Sequence, residues 1–161
     1  MTVQEFYMNE ALIEARKAYK KKEVPIGAVI VRYGRIIGRG HNLRETSKSP
    51  LAHAEILAIQ NASEKLKGWR LTDCDIYVTL EPCLMCSGAI YQARIVNLFY
   101  GATDAKAGAI ESIFKVLEEP KLNHHVQIQS RIMEESCRMI LSDFFRQLRK
   151  TKKDQKLAKQ V

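Results

Sequence analysis

Two short segments constrain this chain more than anything else in it. One is His53-Ala54-Glu55. The other, about thirty residues later, is Pro82-Cys83-Leu84-Met85-Cys86. Each falls at the start of a helix. Leu51 to Lys65 carries Ala54, Leu57, Ala58 and Ala62 at helical spacing, and Cys83 to Ala93 follows a turn at Glu81-Pro82. Cys83 and Cys86 are three apart, so both thiols face the same side. In a helix's first turn the exposed N–H groups and the dipole favour thiolate over thiol. Two thiolates and an imidazole suit zinc, at roughly 2.3 Å for sulfur and 2.0–2.1 Å for nitrogen. Three protein ligands leave a fourth position for water, the pattern of a catalytic zinc and not of a closed structural one. A fold that uses this set must bring two helix starts to one point.

Zinc can lower the pKa of a bound water from about 15.7 to about 7, so hydroxide becomes available at neutral pH. Two thiolates and a neutral imidazole cancel the charge of the ion, which moderates its acidity. A nearby base therefore helps. Glu55 lies two residues from His53 and is free of ligand duty, so it can carry the water's proton to a ring nitrogen and a leaving amine. Other readings of the cysteines stay open. A C-x-x-C can be a redox pair, or half of a structural zinc site with Cys74 or Cys137 as the fourth ligand. Cys74, in Leu71-Thr72-Asp73-Cys74 just before a strand, can also be simply packed. A redox pair calls for neither H-x-E nor a Pro before its first Cys. The combination of H-x-E with P-C-x-x-C is the signature of zinc-dependent nucleobase deaminases.

The rest of the chain reads as one alternating domain. Thr2 to Lys22 is helical, opened by a capping box of Thr2 and Glu5, with Met8, Leu12, Ala15 and Tyr19 on one face. Ile26 to Arg32 and Arg35 to Gly38 form a hairpin about Tyr33-Gly34. Gly40 to Pro50 is a polar loop. Strands follow at Ile76 to Leu80, Ile95 to Tyr100 and Val126 to Gln129. A short helix is expected at Ile110 to Leu117, after a loop with Gly101 and Gly108. Met133 to Arg149 is a long helix whose face holds Met133, Cys137, Ile140, Leu141, Phe144 and Leu148. Of Phe144 and Phe145, only one can point fully into the core. This order favours a three-layer α/β domain with a partly parallel sheet.

Charge is distributed unevenly. The net charge is +8, of which +6 lies in residues 146–161 and only +2 in residues 1–145. We therefore divide the chain into a domain over 1–150 and a basic C-terminal tail over 151–161. Such a run suits a polyanion, or a solvated tail that aids solubility. No apolar stretch exceeds four residues (Ala28 to Val31 is one), whereas a membrane helix needs about 20. Met1 to Lys17 has no uninterrupted apolar core and so is not a signal peptide. The four Cys then read as reduced thiols in a cytoplasm.

At its metal motif the chain resembles the bacterial tRNA-specific adenosine deaminases of the cytidine deaminase superfamily. The resemblance runs through Glu23-Val24-Pro25-Ile26-Gly27-Ala28, Gly40-His41-Asn42, Ala52 to Glu55, Tyr77 to Met85, Gly101, Asp104-Ala105-Lys106, Asn123-His124 and Asp143-Phe144-Phe145-Arg146. It covers roughly residues 5–150, with His125 where an Arg is expected. It implies a cytidine-deaminase-like fold, a five-stranded mixed sheet flanked by helices. It implies hydrolysis of adenosine to inosine at the wobble position of a tRNA anticodon stem-loop, by a cytoplasmic homodimer with one zinc per subunit. His53, Cys83 and Cys86 would bind the zinc and Glu55 would shuttle the proton. The target base leaves the anticodon stack to enter a pocket, where Asn42 would contact it. Arg44, Arg70, Asp104, Lys106, Asn123 and Phe145 are the further positions the resemblance assigns to RNA; Arg suits phosphate and Phe can stack on an unpaired base. Two competitors remain: a deaminase of free bases or nucleosides, and a structural zinc domain that binds RNA without turnover.

Overall fold

The computed structural model describes residues 1–161. Its elements are α1 (Val3–Lys20), β1 (Gly27–Arg32), β2 (Arg35–His41), α2 (Arg44–Ser47), α3 (Ala54–Leu66), β3 (Cys74–Leu80), α4 (Leu84–Gln92), β4 (Asn97–Ala102), a 3₁₀ turn (Val116–Glu118), β5 (Gln127–Gln129) and α5 (Glu134–Ala158). The sheet runs β2-β1-β3-β4-β5. β1 is antiparallel to both β2 and β3, whereas β3, β4 and β5 are parallel. This is the mixed five-stranded sheet expected from the sequence.

Alternation along the strands separates two cores. Ala28, Ile30, Ile76, Val78 and Leu98 face α3 and α4, beside Ala54, Ala58, Ala62 and Ile90. Val29, Val31, Tyr77 and Phe99 face the other way, onto Tyr7, Met8, Ala11 and Leu12 of α1 and Cys137 of α5. The domain is therefore three-layered. Phe144 is the buried member of its pair, packed edge-on to Tyr19, and Phe145 is exposed. The Thr2–Glu5 capping box forms as expected.

Four departures from the expectation each have a physical reason; the other elements agree to within three residues at either end. β2 continues through Gly38 and Gly40 to His41. These glycines are slots for α3: a Cβ at Gly40 would overlap the Ala54 carbonyl, and one at Gly38 the Ala58 carbonyl. The polar loop after β2 contains a helical turn, α2, whose Glu45 and Thr46 amides donate to the buried Glu23 carboxylate. No helix forms at 110–117; turns there lead into the 3₁₀ segment. The amides of Ile110, Glu111 and Ser112 gather on Glu81, and those of Ile113 and Phe114 both donate to the Gly108 carbonyl and that of Val116 to Ala109, spacings of five to seven residues that make no α-helical ladder. Finally, α5 does not stop at Arg149 but extends to Ala158, because Lys, Arg, Gln, Leu and Ala are strong helix formers.

The glycine slots carry a stability prediction. Gly40→Ala pushes α3, with His53 and Glu55 at its start, away from the sheet. Overpacking of this kind costs about 1–3 kcal/mol. We expect a lower Tm, measured by thermal melting.

Candidate active site

His53 and Cys83 occupy the N-cap positions of α3 and α4. A capping side chain normally accepts a hydrogen bond from the first turn, and its loss costs about 0.5–2 kcal/mol. Neither residue makes that bond. The imidazole and the thiol instead face each other across the gap between the two helix starts. His53 Nδ1 lies 3.7 Å from Cys83 Sγ and 3.5 Å from Cys86 Sγ. A tetrahedral ion with the bond lengths of zinc holds sulfur and nitrogen about 3.6 Å apart. Both N···S distances therefore fit zinc, and all three donor atoms lie within 4.8 Å of one another.

No fourth protein ligand joins them: the His/Cys/Asp/Glu group within metal reach is His53, Cys83 and Cys86 alone. Cys74 is the first residue of β3, fully buried, with Sγ 3.5 Å from the Thr72 carbonyl. Cys137 is packed behind Gly101, near the Ile132 carbonyl.

The charges of the cluster are mutually dependent. A hydrogen bond with Cys86, aided by His53, pulls the Cys83 thiol down to about 4. The same bond and burial push Cys86 up. The hydrogen bond to Cys83 raises His53. Glu55, in the first turn of α3, is 4% exposed, and burial lifts its carboxyl to about 7. A carboxyl in that range can both accept and return a proton near neutral pH.

These residues open onto a cavity of about 160 Å³ lined by Val24, Ile26, Asn42, Arg44, His53, Glu55, Leu80, Glu81, Cys83 and Asp104, among others. Drug-sized ligand sites run to roughly 300–1,000 Å³, so this one suits a single heterocyclic base. Asn42 does two things here. It ties the loop, with Nδ2 donating to the Val24 carbonyl at 3.2 Å and Oδ1 accepting from the Arg44 amide at 3.0 Å. It also lines the cavity, with one N–H and one lone pair left over.

Of the other positions carried by resemblance, Arg44 and Asp104 line the cavity. Asp104 Oδ1 accepts from the Lys106 and Ala107 amides. Lys106 is exposed beside it and is not part of the lining. Arg70, Asn123 and Phe145 also lie outside it. Arg70 sits 4.4 Å over the Trp69 ring, Asn123 Oδ1 accepts from the Tyr91 hydroxyl, and Phe145 is exposed on α5.

Sequence reasoning missed two buried carboxylates, Glu23 and Glu81, at 1% and 2% exposure. Burial opposes the charge of each, yet backbone N–H donors hold both below the usual carboxylate range. Glu81 precedes Pro82-Cys83 directly and lies in the Tyr77 to Met85 stretch of the resemblance, the two signals available for it.

The family model for MafB19-like deaminases matches residues 3–149. The mixed sheet and the His–Cys–Cys cluster beside a buried carboxylate are thus those of a deaminase with the cytidine-deaminase-like fold. A tRNA-specific adenosine deaminase of Bacillus subtilis is 50% identical over 153 residues, 95% of each chain. One of Aquifex aeolicus is 46% identical over 145 residues, covering 90% of this chain and 95% of its own. A solved structure from work on A-to-I editing by tRNA:A34 deaminases superposes with a TM-score of 0.81 at 46% identity, over 84% of this chain and 99% of that one. The chain belongs to the bacterial tRNA-specific adenosine deaminase family.

Proposed function

We propose that this protein converts adenosine to inosine at the wobble position of a tRNA anticodon, consuming water and releasing ammonia. The observation that carries the reading is the single base-sized cavity that gathers Glu55, His53, Cys83 and Asn42. His53, Cys83 and Cys86 would hold one zinc per subunit, which lowers the pKa of water and supplies hydroxide at neutral pH. Glu55 would carry one proton from the attacking water to the ring nitrogen, and then the second, from the oxygen bound at C6, to the amine, which leaves as ammonia. Burial keeps its carboxyl near 7, so both transfers are matched to the operating pH.

Asn42 would hold the edge of the flipped base with its remaining donor and acceptor. Arg44, Lys106 and the basic residues of α5 beyond Phe145 would meet phosphates, with Asp104, Asn123 and Phe145 as further RNA contacts. The homodimer belongs to the same reading. An apolar groove lined by Ile56, Ile59, Trp69 and Ala89 lies between α3 and α4, a face that a second copy would cover. Arg70, outside its own cavity, would then approach the RNA held by the partner. No helix is long and apolar enough to cross a membrane. A tRNA substrate would be met in the cytoplasm.

The test is an anticodon stem-loop with adenosine at the wobble position. Mass spectrometry should show inosine at that position and at no other adenosine. An unchanged hairpin, with free guanine or a nucleoside deaminated instead, would replace this reading with a small-substrate deaminase.

A further inference from the structure

We propose that Glu81 is the positioning residue of the base pocket: its carboxylate holds the 104–112 loop against the turn that carries Cys83, and so sets the gap the base must enter. The inference rests on the proposed function for its substrate, but not for its geometry.

One end of Glu81 is fixed in the chain that presents the metal ligands. Its own amide donates to the Ala102 carbonyl at 2.8 Å, and Pro82 and Cys83 follow it. The other end gathers the loop opposite. Oε1 accepts from the Asp104 amide at 3.0 Å and from the Ser112 hydroxyl. Oε2 accepts from three successive amides, Ile110 at 3.1 Å, Glu111 at 2.9 Å and Ser112 at 3.0 Å. Successive N–H groups converging on one oxygen form an anion-binding concavity of the kind that backbone nests make. Here the anion is supplied by the protein itself. The loop held in this way contributes Asp104 and Ala107 to the cavity wall, and Glu81 is part of that wall too.

Gly108 shows how close the fit is. A Cβ on Gly108 would overlap the Glu81 carboxylate. The Gly108 amide donates to the Asp104 carbonyl at 2.8 Å and the Ala109 amide to the Pro82 carbonyl at 2.9 Å, so the loop is clasped on both sides of the glycine. The chemistry demands a carboxylate. Four N–H groups and one O–H converge on two oxygens, and a carboxylate offers about four lone-pair sites. An amide offers one oxygen, so Gln at this position turns an NH₂ toward N–H donors whichever way it flips.

The experiment compares wild type with Glu81→Gln, Gly108→Ala, Glu81→Ala and the double variant Glu81→Ala/Gly108→Ala. Activity on the anticodon hairpin is normalised to bound zinc. Amide hydrogen exchange is read without substrate. For Glu81→Gln we expect KM to rise about tenfold or more, since a displacement of about 1 Å in a pocket wall can cost up to about a hundredfold. kcat per zinc should fall by less than KM rises, since the Glu81 carboxylate bonds to the loop and not to Glu55 or the His–Cys–Cys cluster. Exchange should accelerate at Asp104, Ile110, Glu111 and Ser112. Gly108→Ala should raise KM in the wild-type background but add little to Glu81→Ala, where the carboxylate it strikes is gone.

A residue that merely stabilises the fold gives a different result: zinc content and kcat fall together while KM holds. That result overturns the proposal, as does unchanged KM with accelerated exchange, or additive effects of the two alanines. A wild-type enzyme that leaves the hairpin unchanged sinks the substrate assignment instead, and the exchange data still judge the loop.

Discussion

Glu55→Gln should leave a folded protein that retains its zinc and turns over about 10²- to 10⁴-fold more slowly, the usual range for losing a positioned general acid–base. The amide keeps the size of the side chain and its place at the start of α3, so the packing around it is preserved. What it loses is the ability to take up a proton and return it. Burial already disfavours the Glu55 charge, lifting its carboxyl to about 7. The neutral amide carries no such penalty, so the variant should melt no lower than wild type. Loss of activity with no loss of stability is the mark of a group retained for chemistry. The measurements are single-turnover rates on the anticodon hairpin, zinc per chain and Tm. If turnover persists within a few-fold of wild type, Glu55 is not the shuttle. If RNA binding persists and no turnover is seen even in wild type, the structural zinc domain becomes the better account.

The parts of this protein that were legible in the sequence are those encoded within one helical turn or one strand. The Thr2–Glu5 box, the apolar faces of α1 and α3, and the pairing of β1 with β2 are local patterns. So is the His53–Cys83–Cys86 cluster, because H-x-E and P-C-x-x-C place each of these side chains at a helix start without reference to the rest of the fold. The missed features depend on contacts distant in sequence. Gly38 and Gly40 look like strand breakers until Ala54 and Ala58 are known to press on them. Glu81 looks like a turn residue because its partners, 23 to 31 residues away, are mostly backbone amides that leave no pattern in side-chain type. The expected helix at Ile110 to Leu117 failed for the same reason, since the amides of Ile113, Phe114 and Val116 reach back to Gly108 and Ala109 as the loop wraps the Glu81 carboxylate. In α5, the reading of the last residues as a charged tail obscured that the same residues favour helix.

The cysteines allow the sharpest separation between a catalytic and a structural zinc. Cys86→Ser should abolish turnover and weaken zinc binding by well over the 10–100-fold that altering a group behind a ligand typically costs. The reason is specific to the place. Cys86 is fully buried beneath His53 and Cys83. A hydroxyl there is a poor substitute for a thiolate toward a soft, nitrogen- and sulfur-preferring ion. Nor can a neighbour take over, since no other His, Cys, Asp or Glu completes the group. Cys74→Ser makes the opposite prediction. Its sulfur faces the Thr72 carbonyl, which a serine hydroxyl can also use, and it lies within the sheet and outside the metal group. The change should cost at most about 1 kcal/mol, because the buried hydroxyl keeps the Thr72 carbonyl as its partner, and leave zinc at one per chain with turnover intact. Metal analysis by atomic emission on both variants reads the result directly. If Cys74→Ser loses the metal, the site has four protein ligands and no open position for water. If Cys86→Ser keeps both metal and turnover, the ligand set proposed here is wrong.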